Sequence, residues 1–92
     1  MAKKVRFVLS PEERLLVLKH GYPFEELEAL LKAAKDPNEP VDVELDQFWF
    51  EHLLGELARS INHASSPALA SRLDDLYEYL VGEAQDCGLD VH

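Results

Sequence analysis

The chain has 92 residues, 18 of them acidic and 9 basic, which gives a net charge of −9 and a pI near 4.7. This length suits one modest core, because a chain of this size buries only about 60–65% of its unfolded surface, and a hydrophobic content of 47% argues against disorder. Acidity weighs against binding a nucleic-acid backbone or an anionic membrane, and a single cysteine, Cys87, leaves nothing for an intrachain disulfide.

Along the chain, the start Met1-Ala2-Lys3-Lys4 is basic, but the apolar stretch behind it is interrupted by Arg6 and ends at Ser10-Pro11-Glu12-Glu13. That is too short and too charged for a signal-peptide core. The longest aliphatic run, Leu15 to Leu18, falls far below the roughly 20 residues of a membrane span. A soluble, cytoplasmic protein in a reducing compartment is expected. Charge is polarised. Residues 1–35 carry seven Lys/Arg against five Glu, a net of +2, and residues 36–92 carry two Arg against thirteen acids, a net of −11. The exclusion of nucleic acid therefore applies to the acidic part and leaves a narrow opening at Lys3, Lys4 and Arg6. Neither part is long enough for its own core, so residues 1–92 are read as a single domain.

The first element is a strand over residues 4–9, where Val5, Phe7 and Leu9 supply the β-branched and aromatic character. Ser10, Pro11 and the glutamates after them form a helix start, and a first helix follows over 11–19, closed by Gly21. With Leu15, Leu16, Val17 and Leu18 around most of its circumference, this helix is expected to be deeply buried. A second helix is read over 23–35. Phe24, Leu27, Leu30, Leu31 and Ala34 share one third of its circumference, and Glu28 and Lys32 pair at i,i+4. Asp36 to Pro40 is a short connector broken by two prolines.

Val41-Asp42-Val43-Glu44-Leu45 alternates apolar and acidic residues, the period of a half-exposed strand over 41–45. Asp46 caps a third helix over 46–62. The two strand-to-helix junctions match at an offset of 36 residues over six generic positions. After His63 to Pro67, a tight turn with a serine cap, a fourth helix runs over 67–87 and stops at Gly88. Leu69, Leu73, Leu76, Tyr77, Leu80, Ala84 and Cys87 line its apolar side. The expected fold is α+β, predominantly helical, in the order β-α-α-β-α-α. It has a small two-stranded sheet and a C-terminal antiparallel helical hairpin packed on the first two helices. The pairing sense is open: the intervening helices are long enough for a parallel crossover, and pairing with a second copy is also allowed.

The candidate functional surface lies on the third helix. Phe50, Leu53, Leu54, Leu57, Ile61 and Ala64 turn one way with Trp49 at the edge, while Phe48, His52, Glu56, Arg59 and His63 form a mixed aromatic and ionisable stripe on the other side. Two readings of this stripe compete. Phe48 is covered by a strand or by the first helix, with its neighbours merely solvated, or the stripe is a recognition surface. As a metal site it is poor. His52 and Glu56 share one helical side, but His63 lies about 16 Å further along the axis, and His20 and Cys87 have no sequence relation to it. Cys87 reads as a packed thiol. The four glycines make no phosphate loop, no G-x-S-x-G elbow occurs, and Asp74, Asp75 and Glu78 read as a solvated helix side.

The expectation is thus a small non-catalytic protein-interaction module, homodimeric, with Phe48, His52, Glu56, Arg59 and His63 as partner contacts. No cofactor, metal, nucleic acid or membrane is implied. The alternatives are an acidic inhibitor, antitoxin or immunity-type partner of a basic protein, and a small metal-dependent or acid–base enzyme.

Overall fold

The computed structural model describes residues 4–21, 23–33, 38–86 and 88. Its order is β1 (Lys4–Leu9), α1 (Pro11–His20), α2 (Glu25–Lys32), β2 (Val41–Asp46), α3 (Gln47–Asn62) and α4 (Pro67–Asp86). This is the α+β, mainly helical β-α-α-β-α-α arrangement read from the sequence. The strands pair with each other and run antiparallel, with Phe7 opposite Val43 and Val5 opposite Leu45. The open question of pairing sense is therefore settled within one chain.

Alternation sorts the sheet into two sides. Val5, Phe7, Leu9, Val43 and Leu45 are buried, while Lys4, Arg6, Val8, Asp42, Glu44 and Asp46 face outward and are exposed. Beneath the sheet lies the α3–α4 hairpin, whose Phe50, Leu53, Leu54, Leu57, Leu73, Leu76, Leu80 and Ala84 close one continuous core with it. Phe7 meets Phe50 with ring centroids 5.9 Å apart. From α1 and α2, Val17, Leu27 and Leu31 join the same core. The hairpin thus packs chiefly against the sheet, and α1 reaches it at α3, where Ser60 donates its hydroxyl hydrogen bond to the His20 carbonyl at 2.6 Å. This corrects the expectation that α1 and α2 form the bed of the hairpin.

Local chemistry explains the boundaries. Ser10 and Glu13 form a reciprocal capping box at the start of α1, and Ser66 accepts from the Leu69 amide at the start of α4. Asp46 occupies the N-cap of α3, but its carboxylate makes no capping hydrogen bond, so it caps by backbone geometry alone. Gly88 ends α4 with a φ of 85°, a left-handed conformation that glycine adopts at no steric cost.

Two expectations are corrected. Helix α1 is not deeply buried: Val17 and Arg14 face inward, Leu16 and Leu18 are half-buried, and Leu15 is 50% exposed. A ten-residue helix touching the core along one side leaves part of an apolar circumference in water. Helix α2 is shorter than 23–35, because Phe24 is its extended N-cap (ψ 163°) and Ala33 its C-cap. Leu30, placed on its apolar side, is 45% exposed. Residues 34–37, Tyr22, Cys87 and the last four residues lie outside the described ones, and with them the expectations for Ala34, the start of the proline connector and the Cys87 thiol. Among the described residues no helix is long and apolar enough to cross a membrane.

Candidate interaction surface

All five residues of the stripe lie on the open side of α3. Phe48, His52, Arg59 and His63 are exposed and Glu56 is half-buried. Neither a strand nor α1 covers Phe48: at 69% it is the most exposed of the large hydrophobic side chains in the described residues. The reading that placed Phe48 under a neighbouring element is overturned, and helical geometry gives the reason. Phe48, Trp49 and Phe50 are consecutive on a helix, about 100° apart. Phe50 is fixed in the core opposite Phe7, so Phe48 swings about 200° away and into solvent.

The N-terminal half of the stripe belongs to a larger aromatic group. Trp49 stacks on Phe24 with centroids 4.3 Å apart and planes 23° apart. Phe48 meets Trp49 edge-on at 5.0 Å and 84°, and the His52 imidazole does so at 5.9 Å and 85°. Offset stacking and edge-to-face contacts are the geometries favoured by the ring quadrupoles. Four rings from two elements are therefore held as one surface. Trp49 and Phe24 are half-buried and act as its base, with Phe48 and His52 as its exposed rim.

The rest of the stripe has a different character. Arg59 Nη1 lies 3.9 Å from Glu56 Oε2, a loose i,i+3 pair whose arginine side chain is 71% exposed. Such a pair adds little stability and leaves the guanidinium open to a partner. His63 is the C-cap of α3, and its amide donates to the Arg59 carbonyl at 3.1 Å. The five residues thus line one side, but among the described residues side-chain contact joins only Phe48 and His52, through Trp49, and Glu56 with Arg59. Among the described residues no hydrogen bond or ion pair links His52 to Glu56, and no three His, Cys, Asp or Glu side chains cluster as metal ligands.

Sequence reasoning left out Phe24 and put Trp49 only at the edge. Trp49 was legible in the triple aromatic run. Phe24 was not, because its contact to Trp49 is made from the extended N-cap position just before α2 begins at Glu25.

Two depressions lie elsewhere. The larger, about 610 Å³, is an open trough bordered by Arg6, Val8, Asp42, Glu44, Tyr79 and Glu83. Within it Arg6 Nε holds Glu44 Oε2 at 2.5 Å and Lys4 Nζ stands 3.5 Å from Oε1. The Arg6 hydrogen bond, aided by the charges of Arg6 and Lys4, lowers the Glu44 carboxyl below its ordinary value. The smaller, about 350 Å³, lies between the start of α1 and α4, where Arg72 Nε and Glu12 Oε1 are 3.5 Å apart. Both are open to water, and the pairs within them, Arg6–Glu44 and Arg72–Glu12, are surface ion pairs.

Comparison with protein-family models, with curated proteins and with solved structures finds no match for this chain.

Proposed function

We propose that this chain is a small, non-catalytic protein-interaction module of the cytoplasm that assembles as a homodimer. Its contact surface is the aromatic group on α3, with Phe48 and His52 at the rim and Arg59 and His63 extending it. The observation that carries the reading is the 69% exposure of Phe48 on a base of two further rings. A solvent-facing phenyl ring gains from burial, at roughly 25 cal/mol per Å² of apolar surface removed from water. Aromatic residues and arginine are also the residue types that dominate binding energy at interfaces. A two-fold assembly sets the same patch against itself and needs no second complementary surface. It also adds buried area to a core that a chain of 92 residues keeps small. The single cysteine fits a reducing compartment.

The test is Phe48→Ala, with oligomeric state read by sedimentation velocity across a concentration series and fold read by far-ultraviolet circular dichroism. The wild-type chain is expected to dimerise. The variant is expected to dissociate at least tenfold more readily, with an unchanged spectrum, which corresponds to about 1.4 kcal/mol or more at a central contact. A wild-type chain that stays monomeric at hundreds of micromolar, or a variant that dimerises equally well, would overturn the reading.

A further inference from the structure

The two edges of the sheet are not equivalent. On the β1 side, the Tyr79 hydroxyl of α4 accepts from the Val8 amide at 3.2 Å and donates to the Val8 carbonyl at 2.8 Å. Both main-chain groups of Val8 therefore point away from β2, which makes Val8–Asp42 a non-hydrogen-bonded pair of the ladder. Alternation by two then fixes the other strand. The amide and carbonyl groups of Asp42 and Glu44 also point away from the ladder, outward along the free edge of β2. Among the described residues nothing donates to or accepts from them. On the β1 edge Tyr79 engages both main-chain groups of Val8, whereas among the described residues the outward donors and acceptors of Asp42 and Glu44 on the β2 edge meet no partner.

Side-chain charge defines what fits there. Asp42, Glu44 and Asp46 project from the outer side of β2 at alternate positions, all exposed. A strand added to this edge would set its own alternate side chains about 4.5–5.5 Å from them. On the occupied edge, those positions are filled by Lys4 opposite Asp46 and Arg6 opposite Glu44, with apolar Val5 and Phe7 between them turned to the core. The complement already chosen for β2 is thus a strand alternating basic and apolar residues. Asp42 faces Val8 across the ladder and, among the described residues, makes no ion pair. A second copy of β2 is a poor occupant, because antiparallel pairing about Val43 sets Asp42 against Glu44 twice, and directly opposed like charges destabilise a sheet.

We propose that the free edge of β2 binds an extended segment of a basic partner protein, with Lys or Arg at alternate positions, by strand addition. This surface is separate from the aromatic group and does not depend on it. The acids both select the added strand and repel other copies of the same edge.

The probe is a blocked six-residue peptide copying residues 4–9 (KVRFVL), added to the full chain, with amide hydrogen exchange read residue by residue. Exchange at Asp42 and Glu44 is expected to slow at least tenfold at saturating peptide, while the Phe7 amide keeps its protection. Affinity is expected to fall as salt rises from 50 to 500 mM, within the range where screening acts on exposed charges. Asp42→Lys should weaken binding of this peptide and favour one with glutamates in place of its basic residues. Four results would overturn the proposal: no slowing at millimolar peptide, equal binding of the acidic peptide, loss of protection at Phe7 as the peptide displaces β1, and protection of Asp42 and Glu44 that rises with protein concentration alone, which would place a second copy at the edge.

Discussion

Phe24 and Trp49 stack at a centroid distance of 4.3 Å, and this contact ties the extended entry of α2 to the first turn of α3. It supports the exposed Phe48 and His52 rings without itself lying fully in water. An aromatic pair of this geometry contributes about 0.5–1.5 kcal/mol beyond its burial. Trp49 is the only tryptophan in the chain, so its fluorescence reports on this aromatic group, the Phe24 stack included. Phe24→Leu is expected to shift the emission to longer wavelength. A double-mutant cycle with Trp49→Leu in urea is expected to show coupling in that range. Strict additivity, together with an unmoved spectrum in the single variant, would show that the stack contributes nothing.

What the sequence revealed divides along the same line. The core residues of α3 and α4 were legible because both helices are long enough for the 3.6-residue period to separate one side from the other, and Leu57, Leu73, Leu76 and Leu80 are all buried where that period puts them. Of the strands, β2 was legible from strict alternation and β1 from its β-branched and aromatic residues. The ten-residue α1 was misread because four consecutive apolar residues carry no phase; which of them is buried depends on where α3 lies, and Leu15 lost. The pairing sense was not legible either, since the two intervening helices permit either direction. For the candidate surface, the stripe of five residues was visible as a pattern. Its stacked base was not, because Phe24 reaches Trp49 through a tertiary contact that local pattern does not encode.

Two glycines separate close packing from plain helix propensity. A Cβ at Gly21 would lie 2.9 Å from the Val17 carbonyl oxygen and 3.0 Å from Leu53 Cδ1, so glycine stands there because α1 ends against α3. Its φ of −90° suits any residue, so the obstacle is space and not backbone strain. Gly55, on the exposed side of α3, has nothing within 4 Å of such a Cβ. Gly21→Ala is expected to destabilise by about 1–3 kcal/mol, and Gly55→Ala to stabilise by about 0.5–1 kcal/mol. Urea midpoints decide both, and a Gly21→Ala protein as stable as the wild type would contradict the packing described for this corner.

The Glu44 carboxyl makes a prediction with a definite sign. Its hydrogen bond to Arg6, reinforced by the charges of Arg6 and Lys4, lowers its folded pKa below the unfolded value. A depressed acid contributes stability that is fully present above the unfolded pKa and is lost as pH falls through the folded one. The effect therefore belongs to the acid range, below the ordinary 4.5 of a glutamate, and leaves neutral pH untouched. The stability difference between wild type and Glu44→Gln is expected to be level from pH 7 to 5 and to shrink below that. A carboxyl carbon titration by NMR should give Glu44 a midpoint below that of glutamate in an unstructured peptide. An equal midpoint would mean that the Arg6 contact does not persist in solution.

Tyr79 joins α4 to β1 by two hydrogen bonds from a single hydroxyl, and its test bears on the sheet as a whole. The oxygen accepts from the Val8 amide and donates to the Val8 carbonyl, and so replaces the neighbouring strand that this edge lacks. Phenylalanine keeps the ring and its packing against the core but leaves both groups of Val8 to water. Hydrogen bonds contribute about 0.5–1.5 kcal/mol each in net terms. This edge is exposed enough for water to substitute, so Tyr79→Phe is expected to cost about 1 kcal/mol for the pair. Its local signature is sharper than its global one. The Val8 amide should exchange at least fivefold faster while the Phe7 amide, bonded across the ladder, changes only with overall stability. Equal acceleration of the two would show that the hydroxyl supports the fold in general and not this edge. An unchanged Val8 amide would show that the edge is closed by something other than Tyr79.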